Sequence, residues 1–498
     1  MLTGLGLKTV NRARDGARRR LILVKGPEIM GTAGTSRGAS VATRLAQAIC
    51  DGEKQEIGDE SVQHAVERLV LDTLGCALGA TQAAPVNAAR AWARMIRGEP
   101  AAHLIGTRET SSVLGATLVN CTAARHLDMN DCDWSRDPGH PSDNIAACLA
   151  VAEACAADVP AFLKAVLVAY EVQMRSAEFT KVSFFKKTGW DHTTFVTLAT
   201  AAAAGTLLGL DALRMSHALA IAGSFPVVGQ LRVGQISSMK AASAGLAASR
   251  GVEAAYLALH GVTGPLEIFE GKRGMSSIML GECDWDVLTS PIGQWRLPRT
   301  CFKQYPAAYI IHSSIDATLA LRREHSLVPA RISEVTVTGF GWLIEDMVHG
   351  MGGKSRYDID ARETADHSLP YCVAVSLVDG EYTLAQLANE RWTTPEVQAM
   401  LAKVKCVHDP ALDGGFPGNR PTRITIRTTD GAVVEKQVAF PKGDPRNPLT
   451  DDELGAKFAR LSAGLLSPRR QSHAIEVVLN LRRHSIGALV DTFSADLS

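Results

Sequence analysis

No Cys-x-x-Cys pair occurs anywhere in these 498 residues, and the ten cysteines lie without zinc or iron–sulfur spacing. They read as free thiols of a reducing compartment rather than as a disulfide framework. No apolar run reaches the roughly eighteen residues that a membrane span requires, so no membrane partner is expected. Charge of one sign is not in excess: 52 Lys and Arg face 52 Asp and Glu. No whole-chain field then draws the protein to nucleic acid or lipid, and attraction for anions must come from a local cluster. Aromatic residues are scarce at 5%, while the 46% apolar fraction is rich in Ala, which suits closely packed helices.

Several cofactor signatures are also missing. No Gly-x-Gly-x-x-Gly follows a strand, which leaves a Rossmann dinucleotide site unsupported. There is no His-Glu-x-x-His and no basic stripe with interleaved aromatics. Gly352-Gly353-Lys354-Ser355 imitates the end of a phosphate-binding loop, but Val348 stands where the first glycine belongs, and a mobile glycine loop is the better reading. Gly34-Thr35-Ser36-Arg37-Gly38 matches a nucleophile elbow by letter only, with no strand before it. These absences point to chemistry with no resident cofactor or metal, a carboxylate-bound ion being the open alternative.

What is present is concentrated. His126-Leu127-Asp128-Met129-Asn130-Asp131-Cys132-Asp133, followed by Asp137-Pro138-Gly139-His140-Pro141-Ser142-Asp143-Asn144, packs five carboxylates and two imidazoles between apolar helical patterns. Pro138, Gly139 and Pro141 continue helices poorly, which predicts an irregular loop. Such loops, held by rigid elements, often carry proton-transfer chemistry. A polar turn with capping Asp and Ser is the plainer alternative.

Three further places combine reactive side chains with helix breaks. Asp191-His192 precedes an Ala-rich helix, where the dipole would lower an imidazole pKa and attract anions; a capping or packing role is the alternative. Arg232 and Lys240 lie close in sequence at the start of another Ala-rich helix, as a carboxylate clamp or as a solvated end. Lys303 and Tyr305 fall at a predicted junction between domains, where ligand clefts often form; a solvated Lys and a packed Tyr would look the same in sequence. Together Asp128, Asp131, His140, His192, Arg232, Lys240 and Lys303 suit a small polycarboxylate. Cations hold its charges, an imidazole or carboxylate removes a proton, and the enolate-like dianion is stabilised electrostatically.

Along the chain, residues 1–40 form a basic extension, with Lys8, Arg12, Arg14, Arg18, Arg19, Arg20 and Lys25 facing only Asp15 and Glu28. A disordered lead-in upstream of a start at Met30 is expected, with a transit peptide as the alternative. Residues 41–297 read as helical; Val62–Leu78 keeps the 3.6 period, and Asn144–Ala157, Ala161–Glu178, Thr197–Leu208, Asp211–Ala222 and Lys240–His260 read likewise. Asp211 sits where an N-cap belongs. After Pro298 one more helix opens at Pro306, and strands follow around Val335–Thr338 and Ile424–Arg427, with a hairpin turn at Thr429–Ala432. Helical patterning returns after Leu449. The expected class is mainly α with an α+β insert: an all-helical domain of residues 41–297 and 445–498, and a smaller lid domain of residues 298–444.

Several motifs, in order, resemble the MmgE/PrpD family: Leu127–Asp131 with Gly139–Asn144, Ala169-Tyr170-Glu171-Val172, Asp191-His192, Lys240 in its Ala-rich setting, Lys303-Gln304-Tyr305-Pro306, Asp366-His367-Ser368 with Tyr371, and Phe440-Pro441-Lys442-Gly443. The resemblance spans about Leu45 to the C-terminus. It implies a homodimer, a cytoplasmic setting (mitochondrial if the extension is a transit peptide), no iron–sulfur cluster, and an active site between a helical domain and an α+β lid. Asp128, His140, His192, Lys240 and Lys303 carry over as catalytic; Asp131, Arg232, Tyr305 and His367 carry over as substrate-binding. The loop length and the Ser142-Asp143-Asn144 ending are most similar to the branch that dehydrates 2-methylcitrate. The implied activity is therefore that of a hydro-lyase making a cis-aconitate-type alkene. Epimerisation or decarboxylation of a related acid is the alternative, and an inactive acid-binding scaffold the third. Cys132 stands where a Thr is usual in the family, and Ala308 where some members have an ionisable residue.

Overall fold

The computed structural model describes residues 38–53, 59–225, 231 and 236–494. The basic run before residue 38 lies outside them. In the first half, apolar periodicity becomes packed helix. Glu60–Gly79 starts at Asp59, whose side chain accepts from the Ser61 N–H, and buries Val62, Val66, Leu69, Val70 and Leu74. Ala212–Gly223 starts at Asp211, which accepts from the Arg214 N–H at 2.9 Å.

The Ala-rich composition has a direct structural outcome. The helix Met239–Leu259 packs against both Val113–His126 and Thr194–Leu207. A Cβ on Gly245 would stand 2.4 Å from the Leu118 carbonyl oxygen, and one on Gly251 would stand 2.5 Å from that of Thr197. Only glycine allows backbones this close. Three helices are thereby fixed against one another, and the ends of all three reach the loop of residues 127–144 or its neighbours. No single helix among the described residues is long and apolar enough to cross a membrane.

After residue 298 a four-stranded sheet appears, in the order Val404–His408, Ile332–Gly339, Thr422–Thr428, Val433–Val438. The first pair is parallel and the others antiparallel. Val335, Val337, Ile424 and Ile426 form its buried face, as their alternation predicts. The helix His312–Glu324 packs on this sheet, with Leu369–Asp379 beside it. The C-terminal segment returns: Asp451–Leu461 lies on Glu60–Gly79, and its Lys457 donates to Asp72 Oδ1 at 2.6 Å and to the Met129 carbonyl at 2.7 Å.

Two expectations need correction, and one strand was unforeseen. The helical half is not all-helical: Ala101–His103 pairs with Thr110–Ser112, and Asp133–Trp134 pairs with Pro138–Gly139. The helix expected from Pro306 begins only at His312, after a 3₁₀ turn at Tyr309–Ile311. The Ala308 N–H is taken by the Asp366 carbonyl at 2.9 Å, which holds that segment extended. The strand Val404–His408 was not foreseen, because only Val404 in it is buried and no alternation marks it. Lys354 of the glycine loop is held by Asp360 at 2.6 Å and Asp358 at 3.3 Å, an ordinary ion-pair role.

Candidate active site

The helix Val113–His126 stops at Leu127, and Asp128 then adopts φ +55°, in the left-handed region. Non-glycine residues adopt this conformation rarely, Asp and Asn most readily. Its carboxylate is surrounded by cations. Arg125, in the last turn of the helix, donates to Oδ1 at 2.5 Å. Lys303 donates to Oδ1 at 2.8 Å and to the Asp128 carbonyl at 3.1 Å. Lys240 Nζ stands 3.3 Å from Oδ2. Asp128 and Lys303 are each only 1% exposed. Burial alone would raise the Asp128 carboxyl, but Lys240, Lys303 and Arg125 outweigh it and hold the group well below the ordinary carboxylate range.

Lys240 opens the helix Met239–Leu259 and has further contacts. Its Nζ lies 3.4 Å from both Asp366 oxygens and from His367 Nδ1. Burial lowers its pKa, with Asp128 and Asp366 opposing. His367 Nδ1 also makes a short contact with Asp366 Oδ1, and its Nε2 stands 4.0 Å from Asp128 Oδ2. Burial and then Lys240 lower the His367 imidazole to about 4, so it is neutral at neutral pH. The ligand atoms of Asp128, Asp366 and His367 fall within 4.8 Å of one another, close enough to hold a cation. Lys240, Lys303 and Arg125 already occupy that charge environment, however, and a divalent ion would be repelled by all three. The donor set does not fit a metal well.

His140 opposes this cluster. It precedes the 3₁₀ turn Pro141–Asn144, and its Nδ1 lies 2.6 Å from the Asp131 carbonyl oxygen. A carbonyl only accepts, so Nδ1 carries the proton and Nε2 keeps its lone pair, as a general base requires. Burial drives the His140 pKa well down, and Arg125, Lys303 and His192 act in the same direction. The sign is clear: a base with a lowered pKa stays neutral, and competent, to more acidic pH. The acidic limb of a kcat/KM profile should accordingly fall below pH 6.5, the ordinary imidazole value. A limb centred above pH 7 in a measured profile would contradict His140 as the base.

The His192 ring centroid lies 5.1 Å from that of His140. Thr194–Leu207 begins two residues later. Asp191 Oδ1 accepts from the Thr193 N–H and lies 3.1 Å from His192 Nδ1. Asp143 Oδ2 stands 3.9 Å from Nε2, a nitrogen that is buried without a hydrogen-bond partner. Asp191 thus orients the ring through Nδ1, while Nε2 keeps its hydrogen-bonding capacity for a ligand.

Asp128, His140, His192, Lys240, Lys303 and His367 all line one cavity of about 50 Å³. At roughly 30 Å³ per water, that is space for one or two water molecules, so a small organic acid enters only if the surrounding segments separate. Two expected residues are not brought in as substrate contacts. Asp131 is turned into the loop, accepting from Ser142 Oγ and Tyr170 OH at 2.5 Å each; burial raises its carboxyl to about 7, and its work is to hold the loop. Tyr305 donates to Asp316 at 2.6 Å and faces a separate cavity of about 1010 Å³, whose lining includes no imidazole. Arg232 lies outside the described residues. Sequence reasoning missed Arg125, Asp143 and Asp366. Arg125 looks like an ordinary cation in a last helical turn, Asp143 was counted among the loop's carboxylates without a role, and Asp366 was quoted only within a matched motif.

Comparison with known proteins agrees in extent with this arrangement. A family model described as the MmgE/PrpD N-terminal domain matches residues 43–288, and one for the MmgE/PrpD C-terminal domain matches residues 305–483. The chain is 26% identical over 469 residues to the cis-aconitate decarboxylase of Homo sapiens, covering 89% of this chain and 92% of that protein. It is 27% identical over 469 residues to the mitochondrial 2-methylcitrate dehydratase of Yarrowia lipolytica, covering 86% of each. Against the 2-methylcitrate dehydratase of Escherichia coli (strain K12) it is 25% identical over 458 residues, covering 86% and 92%.

Proposed function

The chain belongs to the MmgE/PrpD family, and on that premise we propose that it is a lyase, a hydro-lyase converting 2-methylcitrate or a related tricarboxylate to a cis-aconitate-type alkene. One observation carries the reading: a neutral imidazole with a free Nε2 faces a second imidazole and three buried cations across a single small cavity. His140 Nε2 takes a proton from the carbon beside a carboxylate. Lys240, Lys303 and Arg125 stabilise the charge that develops on that carboxylate. His192 delivers a proton to the departing hydroxyl, which leaves as water. Asp128 keeps the three cations gathered while the cavity holds no substrate charge.

A second reading has a specific basis, since decarboxylases and dehydratases are matched at similar identity. Loss of carbon dioxide leaves a carbanion that the same cations would stabilise, and Ala308 in the cavity lining removes a side chain that could titrate there. The test is a turnover panel of citrate, 2-methylcitrate, cis-aconitate and smaller diacids, with and without chelator. Ultraviolet absorbance reports the alkene and trapped carbon dioxide reports decarboxylation. The expected result is alkene from 2-methylcitrate, unchanged by chelator. Carbon dioxide from cis-aconitate without dehydration would favour the second reading, and no turnover of any acid would remove both.

A further inference from the structure

Two thiols sit where the catalytic segments meet, and the chemistry above does not use them. Cys132 follows Asp131, whose carbonyl fixes the His140 ring, and Cys301 lies two residues before Lys303. They face each other as an isolated antiparallel bridge: the Cys132 N–H donates to the Cys301 carbonyl at 2.9 Å, and the Cys301 N–H to the Cys132 carbonyl at 2.8 Å. A pair that exchanges both bonds has its Cα atoms about 5.5 Å apart, within the roughly 4.4–6.8 Å that a disulfide spans, and its Cβ atoms near the long end of about 4.5–5.5 Å, so the two segments draw together by about 1 Å to close the bond. Side chains of directly opposed residues project to the same face, and the two side chains pack in one buried cluster.

Their surroundings matter as much as their spacing. Both are buried, with Tyr309 and Trp134 packed against them. Those two rings also line the catalytic cavity, so the thiols lie one side chain behind its wall. Among the described residues no other two cysteines share a bridge of this kind.

We propose that Cys132 and Cys301 are a modification site, a reversible disulfide installed by a peroxide and removed by a dithiol. One thiolate attacks the peroxide: an S–O bond forms, the O–O bond breaks, and hydroxide leaves. The second thiol then attacks that sulfenic sulfur. The S–S bond forms, the S–O bond breaks, and the thiol proton leaves with the hydroxide as water. Two thiols lose two electrons and two protons in all, and hydrogen peroxide is reduced to two waters. The cross-link ties the segment anchoring His140 to the one carrying Lys303, so base and ammonium can no longer separate freely. It also closes a long loop in the unfolded chain, which stabilises the fold.

The test uses the full chain and does not depend on the substrate. Reduced protein is treated with hydrogen peroxide, remaining thiols are alkylated, and the digest is mapped without reductant. The expected result is a Cys132–Cys301 peptide pair as the main cross-link, and an unfolding midpoint raised by several degrees until dithiothreitol reverses it. C301S and C132S should each lose both the cross-link and the shift, while C155S keeps them. Recovery of Cys132 and Cys301 as alkylated thiols, as sulfinic acids, or joined to other cysteines would overturn the proposal. The wild-type map alone decides if a variant fails to fold.

Discussion

Replacing His140 with Ala lowers kcat/KM for the proposed tricarboxylate substrate by about 10²–10⁴-fold, the usual contribution of a positioned proton-transfer group. The unfolding midpoint moves little, because among the described residues the ring makes a single hydrogen bond, Nδ1 to the Asp131 carbonyl. His140→Gln is the sharper variant: its amide can still donate to that carbonyl but has no basic nitrogen at the position of Nε2. Both variants are therefore expected to be folded by circular dichroism and comparably slow. Turnover within threefold of wild type in a folded His140→Gln protein would take His140 out of the chemistry and leave His192 or Asp128 as the base.

The second large effect is on stability and lies on the return segment. Lys457 is buried against Asp72, with its ammonium held by that carboxylate and by the Met129 carbonyl. Lys457→Met leaves Asp72 without its charge partner and the Met129 carbonyl without a donor. Breaking a buried pair from one side costs about 3–5 kcal/mol. Burial already raises the Asp72 carboxyl, against the pull of Lys457. Without that pull the raised group binds a proton in the folded state at a pH where the unfolded chain has released it. Stability of the variant accordingly falls as pH rises above the ordinary Asp range, and the deficit against wild type narrows toward acid. Adding Asp72→Leu should recover part of the loss, since both charges are then gone. Denaturant titration of the two single variants and the double variant measures this. A single-variant loss below 1 kcal/mol would show that the pair contributes little.

These residues also show where sequence was informative and where it stopped. The helix Glu60–Gly79 and the strands around Val335 and Ile424 were legible because one buried face leaves a period that can be counted. Asp211 was legible as a cap because its role is local. The loop of residues 126–144 announced itself by its density of titratable groups. Its partners did not. Asp128 meets Lys303 across 175 positions and Lys457 meets Asp72 across 385, and no local pattern records such a meeting. Lys457, one charge on an amphipathic helix, reads as solvated until Glu60–Gly79 is packed against it. Tyr305, two residues past Lys303, faces the other cavity because the chain bends over residues 304–307 instead of staying extended, and no sequence pattern marks that bend. Motif resemblance supplied His367, and the predicted domain junction supplied Lys303, while their hydrogen bonds appear only in the fold.

The inverted backbone at Asp128 limits how the anionic hub itself can be dissected. Truncation to Ala would abolish a charge and simultaneously impose torsional strain at φ +55°, so any defect would confound two causes. Asn preserves shape, tolerates that torsion and differs chiefly in ionisation. Selection drawing on neighbouring codons should therefore find Asn the gentlest exit from this position, and drift toward bulkier or β-branched side chains should be closed off before catalysis is even consulted.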